Sequence, residues 1–246
     1  MDDLLIYALA TFLLAGTIKG VVGIGLPTTA IGVLSQFTDP RLAITLAIFP
    51  IVAGNSWQII RSGNFLSTLK RYGLLGATLA TVLLATTFLA PNISTNALIL
   101  FLGVMIVLFA ITSLAFKPPF LPQKHDRTGQ IVSGALAGIS GGLTAIWAPP
   151  LIIYFLARRI DKDEFVRASG VLLLCGSVPL LVGYLNNGLI DGPIAKLSAI
   201  LIIPTLIGFS LGEVIRRHLD ASRFRTAVLV MFLFMGLNLL RRAFFP

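Results

Sequence analysis

The sequence has one cysteine, Cys175, two histidines, His125 and His218, and charged residues at only 12% of its 246 positions. A lone cysteine excludes an intramolecular disulfide and a cysteine metal cluster. The histidines lie far apart in loop-like segments, so no metal site and no cofactor is expected. Acidic residues are scarce where membrane chemistry would need them. Of the ten, nine fall in loops or at termini, and Glu213 alone lies within an apolar stretch. There is no HExxH, no GxSxG, no P-loop and no pair of carboxylates inside an apolar stretch, so no enzyme activity is expected. The glycines of residues 20–25 follow no strand pattern, which removes the context a dinucleotide site requires. No long polar region is present that would fold as a separate soluble domain. The opening residues Met1-Asp2-Asp3-Leu4 lack the basic start of a cleavable signal and read as mature protein.

Apolar residues make up 56% of the chain, and the mean hydropathy is +0.93. Apolar stretches run over 4–37, 42–60, 72–90, 96–116, 130–157, 168–185, 197–215 and 226–240. Several approach or exceed the roughly 20 residues a helix needs to cross a bilayer. The expectation is an all-α polytopic membrane protein in a cell (inner) membrane, with the lipid bilayer as its surroundings. In a soluble protein a net charge of +9 would suggest nucleic acid; here it marks the cytoplasmic face, and no nucleic-acid partner is expected.

One motif occurs twice. Gly16-Thr17-Ile18-Lys19-Gly20-Val21-Val22-Gly23-Ile24-Gly25-Leu26-Pro27 is answered by Gly138-Ile139-Ser140-Gly141-Gly142-Leu143-Thr144-Ala145-Ile146-Trp147-Ala148-Pro149. An offset of 122 carries Gly16 onto Gly138, Gly20 onto Gly142, Ile24 onto Ile146 and Pro27 onto Pro149, with the small Ala145 opposite Gly23. Matched, broken hydrophobic segments in the two halves of a membrane chain point to a transporter's binding site. The first and fifth stretches, which carry the motif, are too long for one crossing and too short for two, so each predicts a re-entrant or broken helical hairpin. Backbone of that kind survives at membrane depth only when buried in protein or lining a wet cavity.

The positive-inside rule tests the hairpin. With every stretch crossing once, the Lys and Arg residues divide evenly between the two faces. With the fifth stretch returning to the side it left, the inside set is Arg61, Lys70, Arg71, Lys117, Lys124, Arg127, Arg158, Arg159, Lys162, Arg167, Arg216, Arg217, Arg223 and Arg225, against Arg41, Lys196, Arg241 and Arg242 outside. The hairpin is favoured. If the first stretch behaves alike, each half is one hairpin plus three spanning helices. Three is odd, so the halves form inverted repeats: residues 1–116, a cytoplasmic linker over 117–129, and residues 130–246.

Lys19 is the only basic side chain deep in an apolar stretch. A charge there costs a few kcal/mol and usually faces a cavity or a partner. The flanking Gly20, Gly23 and Gly25 leave backbone N–H groups accessible, and a helix restarting after a break offers free N–H donors to an anion. Thr28 follows Pro27 at that restart. The other reading of Lys19 is snorkelling to an interface. In the second motif Gly141 stands in place of the lysine, and Ser140, Gly142 and Thr144 offer hydroxyls and open backbone. Trp147 would wall a pocket, donate its indole N–H, or simply pack. Asn55, Ser56, Trp57 and Gln58 form a polar cluster that would reach the cavity or sit at the interface. Arg41 and Arg167, each opening the helix after a motif, read as end anchors. Glu213 is the one candidate for proton coupling; an ion pair with Arg216 or Arg217 at the membrane edge is the other reading.

The doubled motif Gly16-x-x-Lys19-Gly20-x-x-Gly23-Ile24-Gly25-x-Pro27, its counterpart over Gly138–Pro150 and the Gly188 loop after the sixth stretch resemble the sulfite exporter TauE/SafE family over nearly the whole chain. The resemblance implies an anion permease for sulfite, sulfonates or other sulfur-containing organic anions. Together the two lines predict a secondary transporter working by alternating access, with a small anionic substrate, H+ or Na+ as candidate coupling ion, and a monomeric or homodimeric state. An anion channel and a non-transporting, partner-binding membrane subunit are the rival expectations.

Overall fold

The computed structural model describes residues 2–63, 65–115, 118–218 and 221–245. Lys117 and Asp220, read above as linker and loop residues, fall outside them, as do the side chains of Arg217 and His218. The described chain is helical. The helices are α1 (Asp2–Val22), α2 (Leu26–Leu34), α3 (Pro40–Ser62), α4 (Phe65–Thr87), α5 (Thr95–Leu114), α6 (Asp126–Thr144), α7 (Ala148–Arg158), α8 (Lys162–Asn186), α9 (Gly192–Ile200), α10 (Ile202–His218) and α11 (Ala221–Phe244).

Local sequence sets several of these ends. Asp39 accepts from Arg41 N ahead of α3, Ser94 from Ala97 N at α5, Asp161 from Glu164 N at α8 and Asp191 from Ile194 N at α9. Each side chain satisfies one of the backbone donors that a helix start leaves unpaired. The two motifs break the chain between α1 and α2 and between α6 and α7. Gly23 and Gly25 there take φ of 86° and 102°, and Ala145, the counterpart of Gly23, takes φ of 56°. A left-handed alanine costs about 1–2 kcal/mol, yet Ala145 takes that backbone; two residues on the breaks differ, with Gly25 at φ 102° and its counterpart Trp147 at −120°.

Both broken segments are hairpins. Phe37, just past α2, stacks on Tyr7 near the start of α1, with ring centroids 6.0 Å apart. In the second, Arg158 at the end of α7 pairs with Asp126 at the start of α6 at 3.0 Å, Tyr154 Oη donates to the same carboxylate, and Leu121 N donates to Ala157 O. The first arm of each hairpin is long, 21 residues in α1 and 19 in α6, and the returning arm is short.

Among the described residues, six helical segments are long and apolar enough to cross a membrane: Leu4–Val22, Pro40–Arg61, Thr95–Leu114, Asp163–Asn186, Gly192–Arg216 (α9 with α10) and Arg223–Phe244. The set differs from the six ordinary spans read from the sequence. Straight α1 joins it, because the first hairpin has one full-length arm. Helix α4 does not, because Lys70, Arg71 and a run of threonines dilute its apolar stretch. The mid-chain connection is shorter than the 117–129 read as linker, since α6 begins at Asp126.

Helices of one half lie along helices of the other: α1 along α10, α6 along α4, α5 along α11 and α3 along α8. Small residues four apart allow the closest of these approaches. A Cβ on Gly16 would fall 2.1 Å from Thr205 O, and one on Gly208 2.1 Å from Leu13 O. Gly134, Gly138 and Gly142 give α6 the same kind of face toward α4. Gly208→Val is therefore expected to separate α1 from α10 and lower stability by about 3 kcal/mol, the upper end of the overpacking range. Gly73→Ala, with open space around its Cβ, is expected to be neutral or slightly stabilising. Thermal unfolding of both purified variants in detergent checks the pair.

Candidate functional site

Lys19 sits in the last turn of α1, and its side chain is 1% exposed. The aliphatic stem lies over Gly54 of α3, where an added Cβ would be in ordinary contact with it at 3.6 Å. The ammonium donates to Asn55 Oδ1 at 2.7 Å, and Asn55 Nδ2 donates in turn to Leu173 O of α8 at 3.1 Å. Three helices thus meet through one amide whose two ends are both occupied.

Lys19 also lines a cavity of about 190 Å³, together with Gly20, Gly23, Gln58, Arg61, Val166, Phe209, Glu213 and Arg216. An ammonium has three donors, and one is used on Asn55. Asn55, Gln58 and Arg61 recur every three residues and form a polar stripe along α3. Gln58, 3% exposed, donates its amide nitrogen to Val166 O at 3.2 Å. Arg61 pairs with Glu213 across the cavity at 3.0 Å. Glu213's observed partner is therefore on α3, a residue distant in sequence, whereas Arg216 is another wall of the same cavity. With three cationic side chains against one carboxylate, the cavity favours an anion.

The restart of α2 is buried, and neither Gly25 nor Thr28 lines this cavity. Thr29 N is the first amide of α2 to reach a carbonyl, Gly25 O at 2.8 Å. Gly25 caps α2 without any side-chain hydrogen bond, Pro27 occupies the first turn, and the buried Thr28 Oγ1 has no partner. Gly25 itself packs toward Ile18 and Phe232, away from the cavity wall.

The second motif is arranged otherwise. Gly141 lies against Leu83 and Trp147, and a Cβ on Gly142 would meet Thr86 Oγ1 at 1.9 Å. Trp147 is buried over Gly176 of α8, its Nε1 unpartnered. Ser140 and Thr144 hydrogen-bond to carbonyls of their own helix, at Ala137 and Ser140. Both line a separate apolar groove between α5, α6 and α7. The structure thus brings together Lys19, Gly20, Gly23 and Glu213, and it does not bring Ser140, Gly141, Gly142, Thr144 or Trp147 into their cavity. Of the polar cluster on α3, Asn55 and Gln58 reach the site. Arg61 was read from the sequence only as a topology marker; its three-residue spacing from Gln58 was the signal for a further role. Arg41 donates to the carbonyls of Pro91 and Ile93, which fits its reading as an anchor.

The sequence model of the sulfite exporter TauE/SafE family matches residues 8–239. That match spans almost the whole chain, and the protein belongs to this family of membrane transporters. Comparison with curated proteins and with solved structures gave no match.

Removing the partner of a buried charge is costly, and removing both partners less so. Asn55→Leu is expected to lower stability by about 2–3 kcal/mol, and Lys19→Met with Asn55→Leu to recover at least about 1 kcal/mol of that loss. Unfolding of the single and double variants in detergent measures the coupling.

Proposed function

We propose that this TauE/SafE family member is a secondary transporter that moves a small sulfur-containing anion, sulfite or a sulfonate, across the cytoplasmic membrane by alternating access. The anion binds in the cavity at Lys19. One observation carries the reading: a buried ammonium with a single protein partner opens onto a cavity whose other charged walls are Arg61, Arg216 and the paired Glu213. Such a group is stable at membrane depth when its remaining donors meet water or an anion. Three cationic side chains converging on a space of about 190 Å³ suit a compact oxyanion.

We read the two halves as inverted repeats, and this reading fits the alternating part of the proposal. The helix order of α1 to α5 is followed again by α6 to α11, with α9 and α10 in the place of α4, and the cross-half packing of α1 on α10 corresponds to that of α6 on α4. The offset of 122 carries Arg61 of α3 onto Gly183 of α8. Arg61 borders the open cavity. Its counterpart is packed shut, since a Cβ on Gly183 would lie 2.0 Å from Thr87 Oγ1 of α4. Arg61 and Arg216 belong to the inside set of the charge count, so we read the structure as an inward-open state. Exchange of the open and shut arrangements between halves would present the site to the other face. Glu213, freed from Arg61 when an anion engages the guanidinium, is our candidate for proton coupling.

Saturable, counterflow-competent sulfite or sulfonate flux is expected in proteoliposomes of the purified protein. Loss of a buried charge contact costs about 2–5 kcal/mol, so Lys19→Ala should weaken anion binding by at least about thirtyfold while the variant still inserts and purifies. Unchanged affinity in that variant rejects the site, and flux linear in concentration favours a channel.

A further inference from the structure

Among the described walls of the cavity, only Lys19 and Glu213 can change charge, because a guanidinium keeps its proton. The two are balanced differently. Glu213 is 28% exposed and has Arg61 as counter-charge at 3.0 Å. Lys19 is buried, and its one hydrogen-bond partner is neutral, Asn55 Oδ1 at 2.7 Å. The salt bridges among the described residues are Arg61–Glu213, Arg71–Glu164 and Arg158–Asp126, so each carboxylate in them is held by an arginine and none by Lys19. Around Lys19, α3 contributes Arg61 and α10 contributes Glu213 and Arg216, while α8 contributes Val166 and Leu173 O. Helix α2 carries no titratable residue, and Arg225 of α11 stands by Ile18 and Val22, where it donates to Ser113 O at 3.4 Å. Asn55 Nδ2 is held by Leu173 O, which keeps Oδ1 turned to the lysine. An amide oxygen accepts from an ammonium or from a neutral amine, so this contact does not fix the proton in place.

This difference matters when the cavity closes. Open, the remaining donors of the ammonium meet water or an anion. Closed around an anion, the charge is paired. Closed empty, the ammonium would be a buried cation with an amide for company, which is costly at membrane depth. Arg61 avoids that state through Glu213, and Arg216 is exposed. Lysine has another way out, because an amine can release its proton to the cavity water before closure. We propose that Lys19 carries the coupled proton: it takes up one proton with each anion, the two cross together, and the empty site returns as the neutral amine. The inference rests on the alternating-access anion site above and decides between its two candidate proton carriers, in favour of Lys19 over Glu213. Asparagine at position 55 suits this role, since a carboxylate there would hold the ammonium charged whether or not an anion is bound.

Methanesulfonate is the probe, because it stays a monoanion and any proton taken up then belongs to the protein. Isothermal titration calorimetry of the full chain in detergent, from about pH 6 to about pH 10 and in buffers of different ionisation heat, counts the protons bound with the anion. Uptake is expected near zero at the acid end, where the empty site is already charged. It should rise toward one proton per anion as pH increases, with affinity then falling about tenfold per pH unit. Binding without proton uptake across the whole range overturns the proposal and leaves the anion site standing. In proteoliposomes, the ratio of net uptake driven by a pH gradient to counterflow is compared between the unaltered protein and Lys19→Arg, which keeps a cation that cannot lose its proton. That ratio is expected to fall at least about tenfold, because a loaded carrier can exchange while an empty, charged one cannot return. An unchanged ratio overturns the assignment to Lys19, and a fall in Glu213→Gln but not in Lys19→Arg moves the proton to Glu213. The proton count on the unaltered protein decides the matter if the arginine variant does not purify. Absence of both methanesulfonate binding and counterflow overturns the anion-carrier reading and this inference with it.

Discussion

A helix broken at membrane depth exposes backbone groups that the hydrocarbon cannot receive, and most of the packing in this protein answers that constraint. The breaks at Gly23–Gly25 and around Ala145 lie within hairpins whose long arms are pressed against helices of the other half. Gly16 and Gly20 of α1 meet Gly208 and Gly212 of α10, while Gly134, Gly138 and Gly142 of α6 meet α4. Without a hydrophobic force between helices in lipid, such close contact depends on residues small enough for backbones to touch. The glycines therefore do two things: some turn the chain, and others bring up the wall that covers the turn.

Lys19 follows from the same arrangement. Its stem crosses Gly54, and its charge ends at Asn55, a residue that also grips the backbone of α8. α3 and α8 are the helices at which the two halves meet near the site. A ligand that draws the ammonium toward the cavity would pull on an amide shared by both, which gives a short physical path from occupancy of the site to the packing of one half on the other.

Much of this was legible in the sequence. The offset of 122, the hairpin in the second half and the exceptional position of Lys19 all came from residue type and spacing. The first hairpin rested on analogy with the second, and the Tyr7–Phe37 stack shows it directly. Less legible was which of the repeated motif's residues share a cavity. Matched motifs suggested a shared site, but Thr86 and Trp147 fill the space beside Gly142 and Gly141, and the hydroxyls of Ser140 and Thr144 turn back to their own helix. Side-chain volume on the facing helices decided this, and no spacing rule within the motif records it. Arg61 was hidden for a different reason. A basic residue at a helix end is explained by topology alone, and only its alignment with Asn55 and Gln58 on one face of α3 marks it as part of a wall.

The departures from repetition carry the functional argument. Two identical halves would offer two equivalent cavities, each with its own charge and equal reason to be open. Here the lysine of one motif is a glycine in the other, and the arginine opposite Glu213 corresponds to Gly183, against which Thr87 is packed. Both breaks return the chain as a hairpin and share one left-handed residue, Gly23 in the first and Ala145 in the second. Lys19 and Arg61 of the first half and Arg216 of the second gather at one cavity, which on the anion-site reading makes a single site instead of two. On the alternating-access reading, the lysine half holds the anion and the other half supplies the opposing closure. The substitutions that break the symmetry then distinguish a carrier with one central site from a pair of fused, independent pockets.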